Sequence, residues 1–352
     1  MENIESALAM NLKELSELLG LSPTTVSRAL NDYPEVREAT RKRVKEAALA
    51  HNYNPDTRAK GLATGRSMAI GHVIPLSTQH EMVNPVFADF IAGAGEIYSQ
   101  NGYDILLSVV ADVNEEDAYR KFQSSRSVDG VIVHGPHADD PRIELLESLG
   151  IPFVVHGRAG ENEDSYSWVD VNNRHSFQRA TELLLDLGHR RIALLNGLET
   201  MDFARRRREG YEAAMNARNI DIDPALMTSA EMTEELGFRN AKNMLTADVP
   251  PTAFLVSSMS MAIGVRRAID AAGKILGRDV SVVIHDDDLS YLKNGSDIPI
   301  FTAARSSVRQ AGRLCAEMLI NKIANPEQEN QHLLLESELM IGLSTGPAPN
   351  KG

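Results

Sequence analysis

The stretch LGLSPTTVSRALN, residues 19–31, gathers Ser22, Pro23, Thr24, Thr25 and Ser27 around a single arginine, Arg28, and closes on Asn31. Short hydroxyls and amides hydrogen-bond to phosphate oxygens, and a guanidinium spans the two acceptors of a guanine, so these residues suit contact with duplex DNA. Farther on, NGLETMDFARRRREGYEAAM holds four consecutive arginines, Arg205 to Arg208. A helix spreads four adjacent residues around most of its circumference, so they cannot form one basic face. VSVVIHDDDLSY ends an apolar run with His285, Asp286, Asp287 and Asp288. Neighbouring strand residues point to opposite faces and hard-cation loops space their carboxylates at alternate positions, which disfavours a metal site. Neither a G-x-x-x-x-G-K-[ST] nor a G-x-G-x-x-G phosphate loop is present, and no nucleophile–base pair stands out, so an enzyme is not expected and no cofactor is implied.

At 352 residues the chain is longer than one core usually serves, and two or three domains are expected. The net charge is −13, unevenly spread: residues 1–66 carry ten Lys and Arg against nine Asp and Glu, whereas the remainder carries 26 against 40. Any contact with phosphate is therefore local to the N-terminal segment, attached to a body that repels DNA. The one cysteine, Cys315, has no partner for an internal disulfide, and MENIESALAM lacks the layout of a secretory signal. No apolar run approaches the roughly 20 residues of a membrane span. A cytoplasmic protein is expected.

The elements that must hold these groups can be read from periodicity. NLKELSELLG sets Leu12, Leu15, Leu18 and Leu19 at helical spacing between an Asn11 cap and a Gly20 stop. Ser22 caps a second helix with Pro23 in its first turn, Val26, Ala29 and Leu30 inward, and Thr24, Thr25, Ser27 and Arg28 outward. A third helix, about 38–51, turns Val44, Ala47, Ala48 and Leu49 inward and Arg41, Lys42, Arg43 and Lys45 outward. Residues 10–53 thus read as a helix-turn-helix domain. Residues 54–66, within NPDTRAKGLATGRS, have the composition of a linker. Residues 67–352 alternate short apolar runs with amphipathic helices, the pattern of parallel α/β lobes. MAIGHVIP, YDILLSVV, DGVIVHG and IPFVVHG form one set of strands; RIALLNG, TAFLVS and DVSVVIHDDD belong to a second set beginning near Ser165. The helix over 308–323 and the strands HLLLES and LMIGLS fit crossovers between the lobes.

LKELSELLGLSPTTVSRALN, VREATRKRVKEAALAHNYNPD and RAKGLATGRS together resemble, in order, the headpiece of the LacI/GalR family of sugar-responsive transcriptional repressors, and the resemblance runs the whole chain. It implies an N-terminal three-helix headpiece, a hinge, and a two-lobed body like a periplasmic binding protein, with parallel sheets and an α/β fold. Implied partners are double-stranded operator DNA, a small sugar effector and a second copy of the chain in a homodimer; Leu62 would be a hinge residue wedged into the minor groove. R-x-x-G singles out Arg207 as the ligand-clamping arginine, and Asp286 as the acid that binds hydroxyls. Asn84, Phe87, Arg158, Phe203 and Ser258 complete the implied effector site. Trp168 reads as packing near the lobe junction, and Arg205, Arg206 and Arg208 as surface charges. Three positions depart from the family: Asp56 where Asn is usual, Arg158 where an acid is frequent near Gly157, and Ser258-Met259 where Asn-Asp is common. The expected effector is an α-glucoside-type disaccharide, with a sugar phosphate or purine, or a plain solute-binding protein, as the alternatives. The tail after Ser344 carries no leucine heptads, so nothing in it builds a tetramer.

Overall fold

In the computed structural model the chain divides into two units, residues 1–68 and 69–352; the structure describes residues 10–30, 32–53, 65–75, 84–111, 114–160 and 163–349. In the first unit, Asn11 and Glu14 form a reciprocal capping box that opens α1 (Leu12–Leu19), and Gly20 ends it in the left-handed conformation that glycine adopts without strain. Ser22 accepts the Thr25 N–H at 3.1 Å and so starts α2 (Pro23–Leu30). The third helix, α3 (Glu38–Ala50), packs across both through Leu15, Leu19, Val26, Ala29, Val36, Val44, Ala48 and Tyr53. Two residues expected inward are exposed, Leu18 and Leu49. Each lies a step beyond the arc its short helix turns to this small core. Asn31 and Leu62 lie outside the described residues.

The second unit contains two six-stranded sheets. The first lobe is built on β1 (Ala69–Pro75), β2 (Asp104–Val110), β3 (Gly130–His134), β4 (Phe153–His156) and β5 (Trp168–Val171), interleaved with α4 (Pro85–Gln100), α5 (Glu115–Ser125) and α6 (Pro141–Leu149). The second uses β6 (Ile192–Asn196), β7 (Met227–Ser229), β8 (Ala253–Val256), β9 (Ser281–Asp286) and β10 (Thr302–Arg305), with α7 (Asn173–Asp186), α8 (Asp202–Ala217), α9 (Glu234–Leu245) and α10 (Met259–Ala271). Sheet order is β11-β5-β4-β3-β1-β2 in one and β12-β10-β9-β8-β6-β7 in the other, where β11 is His332–Leu335 and β12 is Glu338–Met340. Pairing is parallel except between β10 and β12. The chain crosses between lobes after β5, after β10 and after β11, and α11 (Val308–Ala324) returns to pack on α4, β3 and β4.

Three features differ from the sequence reading. The second lobe starts at α7, not near Ser165, because Trp168–Val171 pairs with β4 and β11 as a strand of the first sheet. Strands β7 and β10, MTS and TAAR, are too short and too weakly apolar to show any period. The chain does carry one G-x-S-x-G spacing, GLSTG at 342–346, although no nucleophile was expected. Ser344 is fully buried there, donating to the Val282 carbonyl and accepting the Thr302 N–H, so it ties β9 to β10 rather than forming an exposed nucleophile.

Candidate functional site

On the headpiece, Ser22, Pro23, Thr24 and Arg28 are exposed at the start and outer face of α2, while Thr25 and Ser27 are half-buried. The Ser22 and Thr25 hydroxyls bond each other at 2.8 Å, so these two hold the helix start while Thr24 and Arg28 project from it. The basic face of α3 is partly occupied within the fold. Arg43 caps α1 at the Leu19 carbonyl, Lys45 pairs with Asp32 at 2.7 Å, and Arg41 reaches the carbonyls of Asp32 and Tyr33. The start of α2 thus presents the exposed side chains of Ser22, Pro23, Thr24 and Arg28 beside the positive end of its helix dipole.

In the body, the carboxyl ends of the strands bring polar groups together at the lobe junction, as open α/β sheets do. Arg207 is buried on α8. Its Nε donates to Asn173 Oδ1 and its Nη1 to the Ser257 carbonyl, both at 2.8 Å, and the guanidinium lies 5.1 Å from the Phe177 ring and 4.9 Å from the Phe203 ring. Its Nη2 makes no hydrogen bond to the described residues. Burial pushes this guanidinium down to about 10, against the pull of Asp287 and Asp170. Gly210 sets the position: a Cβ there would lie 2.1 Å from the Arg174 carbonyl, so only glycine lets α8 approach α7 closely enough for Arg207 to meet Asn173.

The acids of β9 separate by side. His285 Nε2, near the end of β9, and Oδ1 of Asp287, just past that end, are 3.2 Å apart. Asp286 turns the other way, accepting the Asp288 N–H at 3.0 Å with Arg305 4.0 Å from its second oxygen, and burial raises its carboxyl above the usual range. Although burial opposes it, His285, Arg207 and His156 hold Asp287 below that range. The acids whose field reaches Arg207 are thus Asp287 and Asp170. His285 Nδ1 is buried without a hydrogen-bond partner among the described residues.

The first lobe contributes a run of imidazoles and aromatic rings. His72 Nδ1 and His134 Nε2 are 2.9 Å apart, the Tyr98 hydroxyl is 3.3 Å from His72 Nε2, and Phe87 and Phe90 meet the His134 ring edge-on. Phe90 also lies 4.4 Å from the His156 ring. Asn84 caps α4 by accepting the Val86 N–H, and Ser258 caps α10 by accepting the Met261 N–H, so both hold element starts at the strand ends.

Arg158 departs from its expected role. Its Nε donates to Asp170 at 2.8 Å, its Nη1 to Glu163 at 3.1 Å, and its guanidinium stacks 5.0 Å over Trp168, so it is spent within the first lobe. Trp168 is packed as expected, against His332 and the first-lobe core. Arg206 is no surface charge: it pairs with Asp202 and reaches Glu163 across the lobes, whereas Arg208 pairs with Glu199 and Glu212, and Arg205 with Glu209 as well as with the buried Asp202. Asn173, Ser257, Asp287, Asp170 and Glu163 were missed as site residues. For Asn173, its place one residue beyond a capping asparagine was the available signal.

The lacI-family model of bacterial regulatory proteins matches residues 11–56, and a periplasmic binding protein-like domain matches residues 181–345. The sequence is 43% identical to the HTH-type transcriptional regulator AglR of Rhizobium meliloti (strain 1021), over 98% of this chain and 96% of that one. Among solved structures, the lac repressor dimer bound to operator and the anti-inducer ONPF superposes with a TM-score of 0.81 at 25% identity, covering 96% of this chain and 99% of that one. The CelR–cellobiose complex follows with a TM-score of 0.71 at 28% identity, over 95% and 99%. With a capped helix-turn-helix, a two-lobed parallel α/β body and a full-length relative at this identity, the chain belongs to the lacI family of bacterial transcriptional regulators.

Proposed function

We propose that this protein is a cytoplasmic repressor of carbohydrate-utilisation genes that binds a palindromic operator as a homodimer and leaves it when a small sugar, an α-glucoside-type disaccharide, enters the cleft. The observation that carries the sugar reading is Arg207: a planar guanidinium locked by Asn173 and the Ser257 carbonyl between two aromatic rings, with Nη2 left for a ligand oxygen. Asp286 supplies a buried carboxylate to accept sugar hydroxyls, and His285 Nδ1 a further polar contact. Asp287 and Asp170 so near the clamp favour a neutral ligand over a sugar phosphate. The likeness to a cellobiose-bound regulator supports a glycoside effector. A sugar that favours one lobe arrangement changes how the paired hinges are presented, separating the Leu62 segments and freeing the headpieces.

The test combines a thermal-shift panel (maltose, sucrose, trehalose, cellobiose, ribose, glucose 6-phosphate and a purine) with operator release in a gel shift. At 100 times its dissociation constant a bound ligand stabilises by about 2.7 kcal/mol. An α-glucoside disaccharide is expected to raise Tm and release DNA, and Asp286→Ala to abolish release while leaving operator binding intact. Release by the purine or the sugar phosphate alone would overturn the sugar reading.

A further inference from the structure

The four-arginine run sends Arg206 and Arg207, neighbours on α8, into two different parts of the lobe junction. Arg206 Nη2 lies 2.5 Å from Glu163 Oε1, on the short helical turn Glu163–Ser165 of the first lobe. Glu163 Oε2 accepts from Arg158 Nη1 at 3.1 Å, and Arg158 Nε donates to Asp170 Oδ2 at 2.8 Å. Asp170 Oδ1 accepts from Asn173 Nδ2 at 3.4 Å, and Asn173 Oδ1 accepts Arg207 Nε at 2.8 Å. The path leaves α8 at residue 206, crosses to the first lobe, runs down β5 and returns across the lobe crossover to residue 207. Beside the outer crossing the lips of the lobes are already paired: the Asp202 N–H donates to the Pro136 carbonyl at 3.0 Å and the Ala138 N–H to the Thr200 carbonyl at 3.3 Å. Asp202 is fully buried and holds Arg205 and Arg206 from below, which fixes the Arg206 side chain at this edge.

We propose that Glu163 and Arg206 form a cross-lobe latch wired through Arg158, Asp170 and Asn173 to Arg207, and so set how tightly the effector is held without contacting it. The proposal rests on reading the cleft as the effector site. The ion pair is half-shielded, with side chains 15% and 26% exposed, so it keeps more of its attraction than a pair on the open surface. Breaking it leaves that edge held by the two backbone hydrogen bonds without a side-chain tie, and loosens the fixed geometry of Asn173 and Arg207 at the other end. Groups that act as one network give non-additive substitution effects.

The test uses the full chain with spin labels at Gln123→Cys on α5 and Asn243→Cys on α9, both exposed, one on each lobe; Cys315 is buried and takes no label. Labelled protein is diluted into unlabelled protein so that only distances within one chain are read. Without any sugar, Glu163→Gln and Arg206→Gln are each expected to move the distance distribution to longer values, and the double variant to match either single one. Maltose titration is expected to show about tenfold weaker binding for each single variant and no further loss for the double, with Arg206→Lys, which keeps the charge, recovering part of it. Operator affinity without sugar should be unchanged. Unaltered distances, or losses that multiply in the double variant, would overturn the latch. Should Arg206→Gln fold poorly because Asp202 loses a partner, the near-isosteric Glu163→Gln still decides. If the wild type ignores maltose, the α-glucoside reading fails, while the sugar-free distances still judge the latch.

Discussion

Four adjacent arginines, of which only Arg205 and Arg206 share an acid, Asp202, show how much one helical residue step matters at this junction. Arg207 needs a planar fork: Lys at this position keeps a charge but cannot serve Asn173 Oδ1 and the Ser257 carbonyl together. Arg207→Lys is expected to cost at least tenfold in effector affinity, read by calorimetry, with operator binding retained. The buried imidazoles make a second prediction. Burial holds His72 down at about 3 and His156 at about 4, and likewise keeps His134 and His285 below the ordinary value of 6.5. Because the unfolded chain then takes up protons first, their contribution is complete above about pH 6.5 and is lost progressively as pH falls toward 4. Tm should therefore drop between pH 7.5 and 5.5, and an unchanged Tm would show that these rings are not held neutral. Where these side chains lie was legible in part: the family's R-x-x-G led to Arg207, which sits at the lobe junction, and the Ser22 cap set Thr24 and Arg28 on the outer face of α2, where both are exposed. The division of labour between Asp286 and Asp287 was not legible, since both faces of β9 are buried and alternation alone names no cleft side.

At the scale of elements, the helices and long strands were readable because their caps and apolar periods agree. Asn11, Ser22, Thr233 and Ser258 all accept backbone N–H groups at helix starts. What periodicity could not show is how closely helices approach. A Cβ on Gly93 would fall 2.0 Å from the Arg309 carbonyl and one on Gly312 2.2 Å from the Phe90 carbonyl, so α4 and α11 touch backbone to backbone in the manner that Gly210 allows α8 and α7. Such contacts join residues far apart in sequence and leave only a glycine as trace. Gly210→Ala must push α8 away from α7; it is expected to destabilise by about 1–3 kcal/mol in urea unfolding and to weaken the effector response with it. A variant as stable and as responsive as the parent would mean that the helices can part without disturbing Arg207.

For the molecule as a whole, β2 is the conspicuous surface. It pairs only with β1, and Ile105, Leu106, Leu107 and Val109 are all exposed along it, an unpaired edge with apolar groups on both faces. Two-fold pairing of such an edge fits the homodimer proposed above. Replacing Ile105 and Val109 by Glu should give monomers by light scattering and remove operator affinity at the same protein concentration; a dimer that survives would place the interface elsewhere. A last consequence comes from the strands that the chain adds at its end. The first-lobe sheet opens at Ala69 yet gains its edge strand only at His332–Leu335, and α11, which covers β3 and β4, comes barely earlier. The headpiece core, by contrast, closes entirely within residues 10–53. At roughly 5–20 residues per second of synthesis, the DNA-reading helices are complete well before the ribosome has made the parts that finish the sensing body. A polypeptide cut short near residue 300 would carry a finished headpiece but no completed lobe to pair it. On the function proposed above, such a product carries the operator-reading helices without a finished first lobe, so stable operator binding and its relief by an effector would both wait for the last residues made.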